Sequence, residues 1–404
     1  MIKIAVLGYG TVGSGVVEVL KTNRESIARR VGDEIAVKYV LDLREFPDDP
    51  VQDILVHDYD VILQDPEVRI VVETMGGVNP AYGFTKNALQ AGKSVCTSNK
   101  ELVAQHGVEL MQIAAEMHVN YMFEASCGGG IPIIRALNES LTADVIDEVT
   151  GILNGTTNYI LSKMTTDGSE FGAVLAEAQE MGYAERNPEA DVEGYDACRK
   201  IAILSSLAYG SHVDFADVYT EGITQITAAD IRYAAAMGKA VKLLAGSRKD
   251  GSTVSVRVAP ALIGQDNPLY AVNGVFNAVL VHGNMLGDAM FYGSGAGSLP
   301  TASAVAADVV ECAKNPHKNV AVPGTGEKLN ILSYDEEENT FFVRVTGDPA
   351  ERLAGITALF GEVETVSAEG VEGEFGFITG RMKEKVFAEK LSGLEGVKNR
   401  IRVM

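Results

Sequence analysis

The stretch IKIAVLGYGTVGSGVVEVL, residues 2–20, joins three different patterns within nineteen positions. Residues 2–7 are almost all apolar, which is typical of a strand buried on both faces of a parallel sheet. Three glycines follow with the spacing GxGxxG, and apolar residues then recur at helical spacing. The stretch therefore predicts a strand, a tight glycine turn and a helix.

The glycine spacing has a physical meaning in that context. Gly8 allows the tight turn, Gly10 lets the backbone approach a pyrophosphate, and Gly13 lets the helix pack closely on the strand. The N-terminus of the helix then attracts the anion. A purely structural glycine turn is the alternative, but the strand and helix on either side favour dinucleotide binding by the loop, with Thr11 and Val12 included in it.

The end of the second predicted strand bears on the choice of cofactor. The segment IAVKYVLD, residues 35–42, ends at Asp42, and Arg44 follows two positions later. A carboxylate there accepts a hydrogen bond from a ribose 2'-OH, whereas an arginine can meet a 2'-phosphate. Both NAD and NADP therefore remain open.

Two further segments continue the alternation of strands and helices. RIVVETMGG (69–77) and KSVCTSNK (93–100) read as strands, with a helix over 80–92 between them. The pattern predicts an α/β fold whose N-terminal part is a Rossmann-type, doubly wound sheet. Ligands of such sheets bind at the carboxyl ends of the strands, so the nicotinamide half of a cofactor is predicted to lie near Thr74, Gly76, Ser98 and Lys100. Lys100 could instead be a solvated residue that begins the next helix.

Composition excludes several classes of protein. A formal net charge of -21 argues against nucleic acid as a partner, because phosphates need a basic surface. The chain shows no run of 18 or more apolar residues, so no membrane span is predicted, and the N-terminus lacks the pattern of a signal peptide. Its four cysteines are scattered, as in a reducing compartment. A cytoplasmic protein of two or three domains is predicted.

Charged side chains crowd the segment GYAERNPEADVEGYDACRKIAIL, residues 182–204. Asp196 and Lys200 are four positions apart, so on a helix they share one face. Taken alone, the pair has two interpretations. It is either an ordinary solvated salt bridge, which contributes little to stability, or part of a binding site.

The chain resembles the homoserine dehydrogenases in seven motifs, which occur in order over residues 1–325. These motifs are GYGTVGSGV, ETMGG, TSNKELVA, FEASCGGGIPIIRAL, GILNGTTNYIL, the segment 182–204 and GSGAGSLPTASAVAADVV. The resemblance implies reversible, NAD(P)H-dependent reduction of aspartate β-semialdehyde to homoserine, on the route to threonine and methionine. It also implies a dinucleotide-binding domain over 1–130, to which 300–325 return, an α+β substrate and dimerisation domain over 131–299, and a homodimer or homotetramer.

The same resemblance assigns roles to residues. Lys200 matches the lysine at the reacting oxygen, Lys100 matches its companion, and either of them can be the one that transfers the proton. Asp196 joins them as the third residue of the catalytic group. Gly297 is assigned to the cofactor. The substrate residues implied by the resemblance are Gly155, Thr156, Tyr183, Glu185, Asp191, Asp196 and Lys200.

The segment FEASCGGGIPIIRAL admits a competing enzyme. Cys127 could be the thiolate nucleophile of a phosphorylating semialdehyde dehydrogenase, although its local motif contains no histidine to serve as the base. In the resembled family this stretch is associated with a monovalent cation such as sodium, held by the Glu124 side chain and by backbone carbonyls near Cys127, Gly129 and Ile131. A cofactor-sensing regulator without catalysis is a third alternative, but a sensor needs neither the acids nor the two lysines.

Residues 331–404 are predicted to form a separate module. Their pattern is strand, helix, strand, strand, helix, strand, which is a ferredoxin-like order. The module resembles an ACT regulatory domain, which implies threonine as an effector. Where such domains usually have Pro-Gly after the first strand, this chain has Ala350 and Glu351, and losing the glycine restricts close approach of a ligand to the backbone. A dimerisation module without a ligand therefore stays open as well.

Overall fold

The computed structural model describes residues 1–320 and 327–404. Contacts within the chain divide it into two compact units. The first comprises residues 1–145, 202–214 and 291–329, and the second comprises residues 146–201, 215–290 and 330–404. In the described part of the chain, no helix is both long enough and apolar enough to cross a membrane.

The first unit is built on a six-stranded parallel sheet. Its strands are β1 (Ile2–Leu7), β2 (Ile35–Leu41), β3 (Leu55–Val56), β4 (Val68–Glu73), β5 (Ser94–Thr97) and β6 (Tyr121–Met122). Their spatial order is β3-β2-β1-β4-β5-β6, with every neighbouring pair parallel. Since the chain order reverses at β1, this is the doubly wound arrangement that the sequence predicts, and the Rossmann-type fold is confirmed.

Helices surround that sheet. They are α1 (Thr11–Thr22), α2 (Arg24–Val31), α3 (Tyr59–Leu63), α4 (Ala81–Gln90), α5 (Lys100–Glu116) and α6 (Ile133–Arg135). A later helix, Ser298–Lys314, also belongs to this unit and packs against α1. The two helices approach closely because Gly15 has no side chain: a Cβ there would lie 2.9 Å from the Cβ of Ala302. Apolar side chains of this helix pair and of β1 share one buried core.

The middle of the chain supplies a second, mixed sheet. In chain order its elements are β7 (Ile146–Ile152), α7 (Gly155–Asp167), α8 (Phe171–Glu180), α9 (Glu189–Val192), α10 (Tyr195–Tyr209), β8 (Tyr219–Thr220), α11 (Ala228–Ala236), β9 (Lys239–Asp250), β10 (Thr253–Gly264), β11 (Phe276–Gly283) and β12 (Gly287–Ser294). The helix Ser298–Lys314 then follows as α12. Both α7 and α11 pack on β9 and thus cover part of the sheet.

The C-terminal residues have the predicted ferredoxin-like order, with one additional two-residue strand. The elements are β13 (Glu338–Thr346), α13 (Pro349–Phe360), β14 (Glu364–Val366), β15 (Glu374–Ile378), β16 (Met382–Lys383), α14 (Glu384–Ser392) and β17 (Val397–Val403). Four strands lie in the order β17-β13-β15-β14. Because β17 also pairs in parallel with β10, the module continues the middle sheet into one of eleven strands. Its likeness to an ACT domain stays a prediction.

Candidate active site

The glycine loop after β1 has the geometry that close approach of a ligand requires. Gly8 has a φ of +90°, which favours glycine. A Cβ at Gly13 would lie 1.9 Å from the carbonyl oxygen of Gly8, so the helix start touches the strand end. At Gly10 a Cβ would meet nothing within 4 Å. The loop therefore leaves open space above Gly10, at the N-terminus of α1, where a pyrophosphate would fit.

Asp42 and Arg44 form a pair beside that loop. The Asp42 carboxylate accepts hydrogen bonds from the Tyr9 backbone N–H at 2.8 Å and from Arg44 Nη2 at 2.9 Å. Arg44 Nη2 also donates to the Tyr9 carbonyl at 3.1 Å. The Arg44 guanidinium holds the pKa of Asp42 far below its usual range. A fixed anion and a neighbouring cation thus meet at the end of β2, where the sequence predicts contact with the cofactor ribose.

The other predicted cofactor residues all lie in the first unit. The Thr74 hydroxyl donates to the Leu7 and Gly8 carbonyls, both at 3.0 Å, and so braces the glycine loop. Gly76 has a φ of +80° in the turn after β4, while Ser98 follows β5 and Lys100 is the first residue of α5. Gly297 precedes α12, whose Ser298 hydroxyl donates to the Thr11 carbonyl at 2.6 Å. Cofactor contacts by these residues stay a prediction.

In the second unit, Asp196 and Lys200 form a buried ion pair. Lys200 Nζ donates to Asp196 Oδ2 at 2.8 Å and to the Leu153 carbonyl at 2.8 Å. The side chains are only 10% and 2% exposed for Lys200 and Asp196, respectively. The interpretation as a solvated surface salt bridge is therefore wrong. A buried charge pair costs desolvation, which is more typical of a functional site than of a stabilising surface contact.

Asn154 connects the carboxylates of this cluster, although the sequence did not indicate it as a site residue. Its Nδ2 donates to Asp191 Oδ1 at 2.7 Å and to Asp196 Oδ2 at 2.9 Å. Its Oδ1 accepts from the Thr157 backbone N–H at 2.8 Å and so caps α7. One amide thus holds two carboxylates together beside an ammonium group. The motif LNGTT indicated an N-cap, since asparagine is preferred at that position. It gave no indication of the carboxylates that Asn154 binds.

The remaining predicted substrate residues are distributed less tightly. Gly155 and Thr156 begin α7, next to Asn154, and the Thr156 hydroxyl donates to the Tyr183 carbonyl at 2.8 Å. The Tyr183 side chain is exposed. Glu185 is also exposed and is not drawn into the carboxylate cluster. Lys100 belongs to the first unit and Lys200 to the second, and their meeting at one substrate stays a prediction.

The segment around Cys127 is buried. Cys127 has no exposed surface, which argues against a thiolate nucleophile that must reach a substrate. The buried Glu124 carboxylate accepts from the Ile134 and Arg135 backbone N–H groups, both at 2.8 Å, and burial raises its pKa. Gly128 and Gly129 form a left-handed turn, with φ of +69° and +57°. The competing phosphorylating mechanism thus loses its central residue.

Fold and site together define a nicotinamide-dependent oxidoreductase: a doubly wound sheet with an open glycine loop, and a buried lysine among carboxylates. Comparison with known proteins narrows this class. Residues 8–124 match the model of the NAD-binding domain of homoserine dehydrogenase, and residues 132–310 match the model of homoserine dehydrogenase itself. The chain belongs to the homoserine dehydrogenase family, and its function is that of this enzyme.

Individual relatives agree over most of their length. The chain is 41% identical to homoserine dehydrogenase from Bacillus subtilis over 369 residues, which cover 89% of this chain and 85% of that one. The crystal structure of a homoserine dehydrogenase from Thiobacillus denitrificans superposes with a TM-score of 0.90 at 38% identity and covers 100% of this chain and 98% of that one. A hyperthermophilic archaeal homoserine dehydrogenase in complex with NADPH reaches a TM-score of 0.67 at 28% identity and covers 77% of this chain and 97% of its own.

Proposed function

We propose that homoserine and aspartate semialdehyde are interconverted at the cluster of Asn154, Asp191, Asp196 and Lys200. The observation that carries this proposal is the buried Lys200–Asp196 pair, to which Asn154 adds the second carboxylate. Homoserine carries an ammonium, a carboxylate and a hydroxyl group. Carboxylates can bind the ammonium, and a lysine can serve the oxygen that reacts.

The charge flow of the reaction requires a proton donor beside the reacting oxygen, and we propose Lys200 for that role. When bound, the nicotinamide cofactor supplies or accepts the hydride. As the aldehyde carbon is reduced, negative charge gathers on its oxygen, and the Lys200 ammonium stabilises that charge and donates a proton. In the oxidative direction a lysine accepts the proton of the alcohol. Asp196 orients Lys200, while Lys100, at the start of α5, is the second candidate for the same proton.

Steady-state kinetics of homoserine oxidation test whether Asp191 and Asp196 bind the substrate. Asn154→Asp keeps the oxygen that caps α7, but it replaces the amide donor by a third anion beside two carboxylates. We expect the KM for homoserine to rise by about tenfold or more, since repulsion among three carboxylates at hydrogen-bonding distance moves Asp191 and Asp196 out of the position in which they would bind the ammonium. Asn154→Ser keeps a good N-cap and loses the amide Nδ2 that binds both carboxylates, but it adds no charge, so its KM should rise less. Equal KM values in both variants and in the parent enzyme would contradict the proposed role of Asp191 and Asp196 in substrate binding.

We further propose that the Asp42–Arg44 pair decides between NAD and NADP, and that the chain accepts both. The archaeal relative was solved with NADPH, whereas the matching family model is an NAD-binding domain. Asp42→Ser should raise kcat/KM with NADP relative to NAD by about tenfold, because an anion near the 2'-phosphate is removed and Arg44 is released. Arg44→Ser should shift the ratio the other way. A ratio that moves in the same direction in both variants would contradict the proposal.

A monovalent cation, sodium by resemblance, is proposed at the turn that follows Glu124. Among the described residues, no group of three or more His, Cys, Asp and Glu side chains could hold a metal. The donors would therefore be the Glu124 carboxylate, whose two oxygens retain acceptor capacity beside the backbone N–H groups they bind, and the backbone carbonyls near Cys127, Gly129 and Ile131. Such hard, mostly neutral oxygen donors fit a monovalent ion, which would fix this turn.

Assembly, regulation and location are proposals as well. We propose a homodimer or homotetramer that uses the hairpin of β11 and β12, where Met285, Leu286, Met290 and Tyr292 are exposed. Light scattering measures the mass.

Threonine is proposed as an effector of residues 331–404, and its addition to the assay separates this role from a dimerisation module. The four cysteines are all free thiols, which supports a reducing compartment such as the cytoplasm.

A further inference from the structure

The last strand of the chain contacts a short segment, residues 221–223, which also contacts the end of α9. Arg400 Nη1 on β17 donates to both carboxylate oxygens of Glu221, at 2.6 and 2.7 Å. Arg402 Nη1 donates to Glu221 Oε2 at 2.8 Å, and its Nε donates to Glu384 Oε1 at 2.6 Å. The Arg402 side chain is 1% exposed. Glu221 is thus fixed by two cations that both come from the C-terminal module.

Glu221 remains an anion in this position. Burial alone would raise its pKa, but the charges of Arg402 and Arg400 outweigh burial and hold the pKa of Glu221 below its usual value. The Arg402 guanidinium also lies beside the stacked rings of Tyr219 and Tyr334, whose centroids are 3.5 Å apart. Charge and packing therefore fix the side of this segment that faces β17.

The same segment also contacts the loop that carries the proposed substrate acids. A Cβ at Gly222 would lie 2.3 Å from the Val192 carbonyl oxygen, so the two backbones touch. The Ile223 N–H donates to that same carbonyl at 2.8 Å. Val192 ends α9, which carries Asp191, and α10 with Asp196 and Lys200 begins three residues later, at Tyr195. Residues 221–223 thus contact β17 through the Glu221 side chain and the end of α9 through the backbone of Gly222 and Ile223.

From this juxtaposition we infer that Arg400, Arg402 and Glu221 are positioning residues, through which the C-terminal strand sets the affinity for homoserine. They touch no substrate group themselves. They hold residues 221–223, which contact Val192 directly and so position the loop that carries Asp191 and leads into α10. The inference depends on the proposed roles of Asp191 and Asp196. It goes beyond those roles by connecting the substrate site to the module whose effector is unassigned.

Arg400→Gln in the full-length enzyme tests the inference, since this side chain is 27% exposed whereas that of Arg402 is 1% exposed. The KM for homoserine should rise by about 3- to 30-fold, while kcat changes less than about threefold and the KM for the cofactor stays unchanged. Arg400→Lys should restore part of the affinity. An altered kcat and an altered cofactor KM in Arg400→Gln, with homoserine KM unaffected, would overturn the inference.

The matched control is Arg257→Gln on β10. Arg257 Nη1 donates to Glu337 Oε2 at 2.8 Å and to Asn339 Oδ1 at 2.7 Å, and its side chain is 21% exposed. It should lose similar stability without a change in KM, and an equal rise in both variants would mark a general structural effect that defeats the inference. Asp191→Asn distinguishes failure of the proposed substrate site from failure of the positioning role. If it leaves the KM for homoserine intact, the proposed site fails; if it raises the KM but Arg400→Gln does not, only the positioning role fails.

Discussion

Lys200→Ala is expected to lower kcat for homoserine oxidation by about 10²- to 10⁴-fold, the usual contribution of a general acid–base group. The Lys200 ammonium donates to the Asp196 carboxylate and to the Leu153 carbonyl, both at 2.8 Å. Alanine removes the proposed proton donor, while the Asn154 amide still donates to Asp196. Cofactor affinity should not change, because the glycine loop belongs to the first unit. Single-turnover rates and cofactor titration measure the two quantities separately.

A second buried lysine provides the control for that experiment. Lys242 is 2% exposed, burial lowers its pKa to about 8, and its Nζ donates to the Val272 carbonyl at 2.5 Å and to Asn273 Oδ1 at 2.8 Å. Lys242→Ala should destabilise the fold comparably and spare kcat. Lys100→Ala identifies the proton donor: a larger loss of kcat than in Lys200→Ala assigns the proton to Lys100. Full turnover in Lys200→Ala would reduce the buried pair to a structural role.

The sequence predicted those features that depend on short-range backbone constraints. The glycine loop was predictable because strand, turn and helix lie within nineteen consecutive residues, and each glycine has its own steric reason. The spacing of Asp196 and Lys200 predicted that they meet, yet spacing carries no information on burial. Burial depends on the strand and loop that cover the pair, among them Leu153, whose carbonyl binds Lys200 from 47 positions away.

Long-range partners were beyond sequence reasoning. The bonds from Asn154 to Asp191 and Asp196 span 37 and 42 positions, and the bond from Arg402 to Glu221 spans 181. Only the fold brings such residues together. The module of residues 331–404 shows the same limit: its order of elements followed from local patterns, but the pairing of β17 with β10 did not, since strand register is set by the packed sheet.

Gly10→Ala is expected to weaken cofactor binding by about 10- to 100-fold while leaving the melting temperature nearly unchanged. A Cβ at Gly10 meets no protein atom within 4 Å, and the backbone φ of -87° lies outside the left-handed region that favours glycine, so we expect little opposition to folding. The added methyl group instead occupies the space through which a pyrophosphate would approach. Overpacking of about 1–3 kcal/mol at that contact corresponds to the expected loss of affinity. Fluorescence titration with NADH and NADPH measures it, and calorimetry records the melting temperature.

Gly13→Ala is the partner variant, because it separates crowding of the ligand from crowding of the fold. Its Cβ would lie 1.9 Å from the Gly8 carbonyl oxygen and 2.8 Å from Thr74 Oγ1, so α1 must move away from β1. Stability and cofactor affinity should therefore both fall, whereas Gly10→Ala loses affinity alone. Since both residues belong to one GxGxxG loop, only the location of the clash distinguishes them. Undiminished affinity in Gly10→Ala would mean that the dinucleotide does not cross this loop, and the role of the whole motif would then be structural.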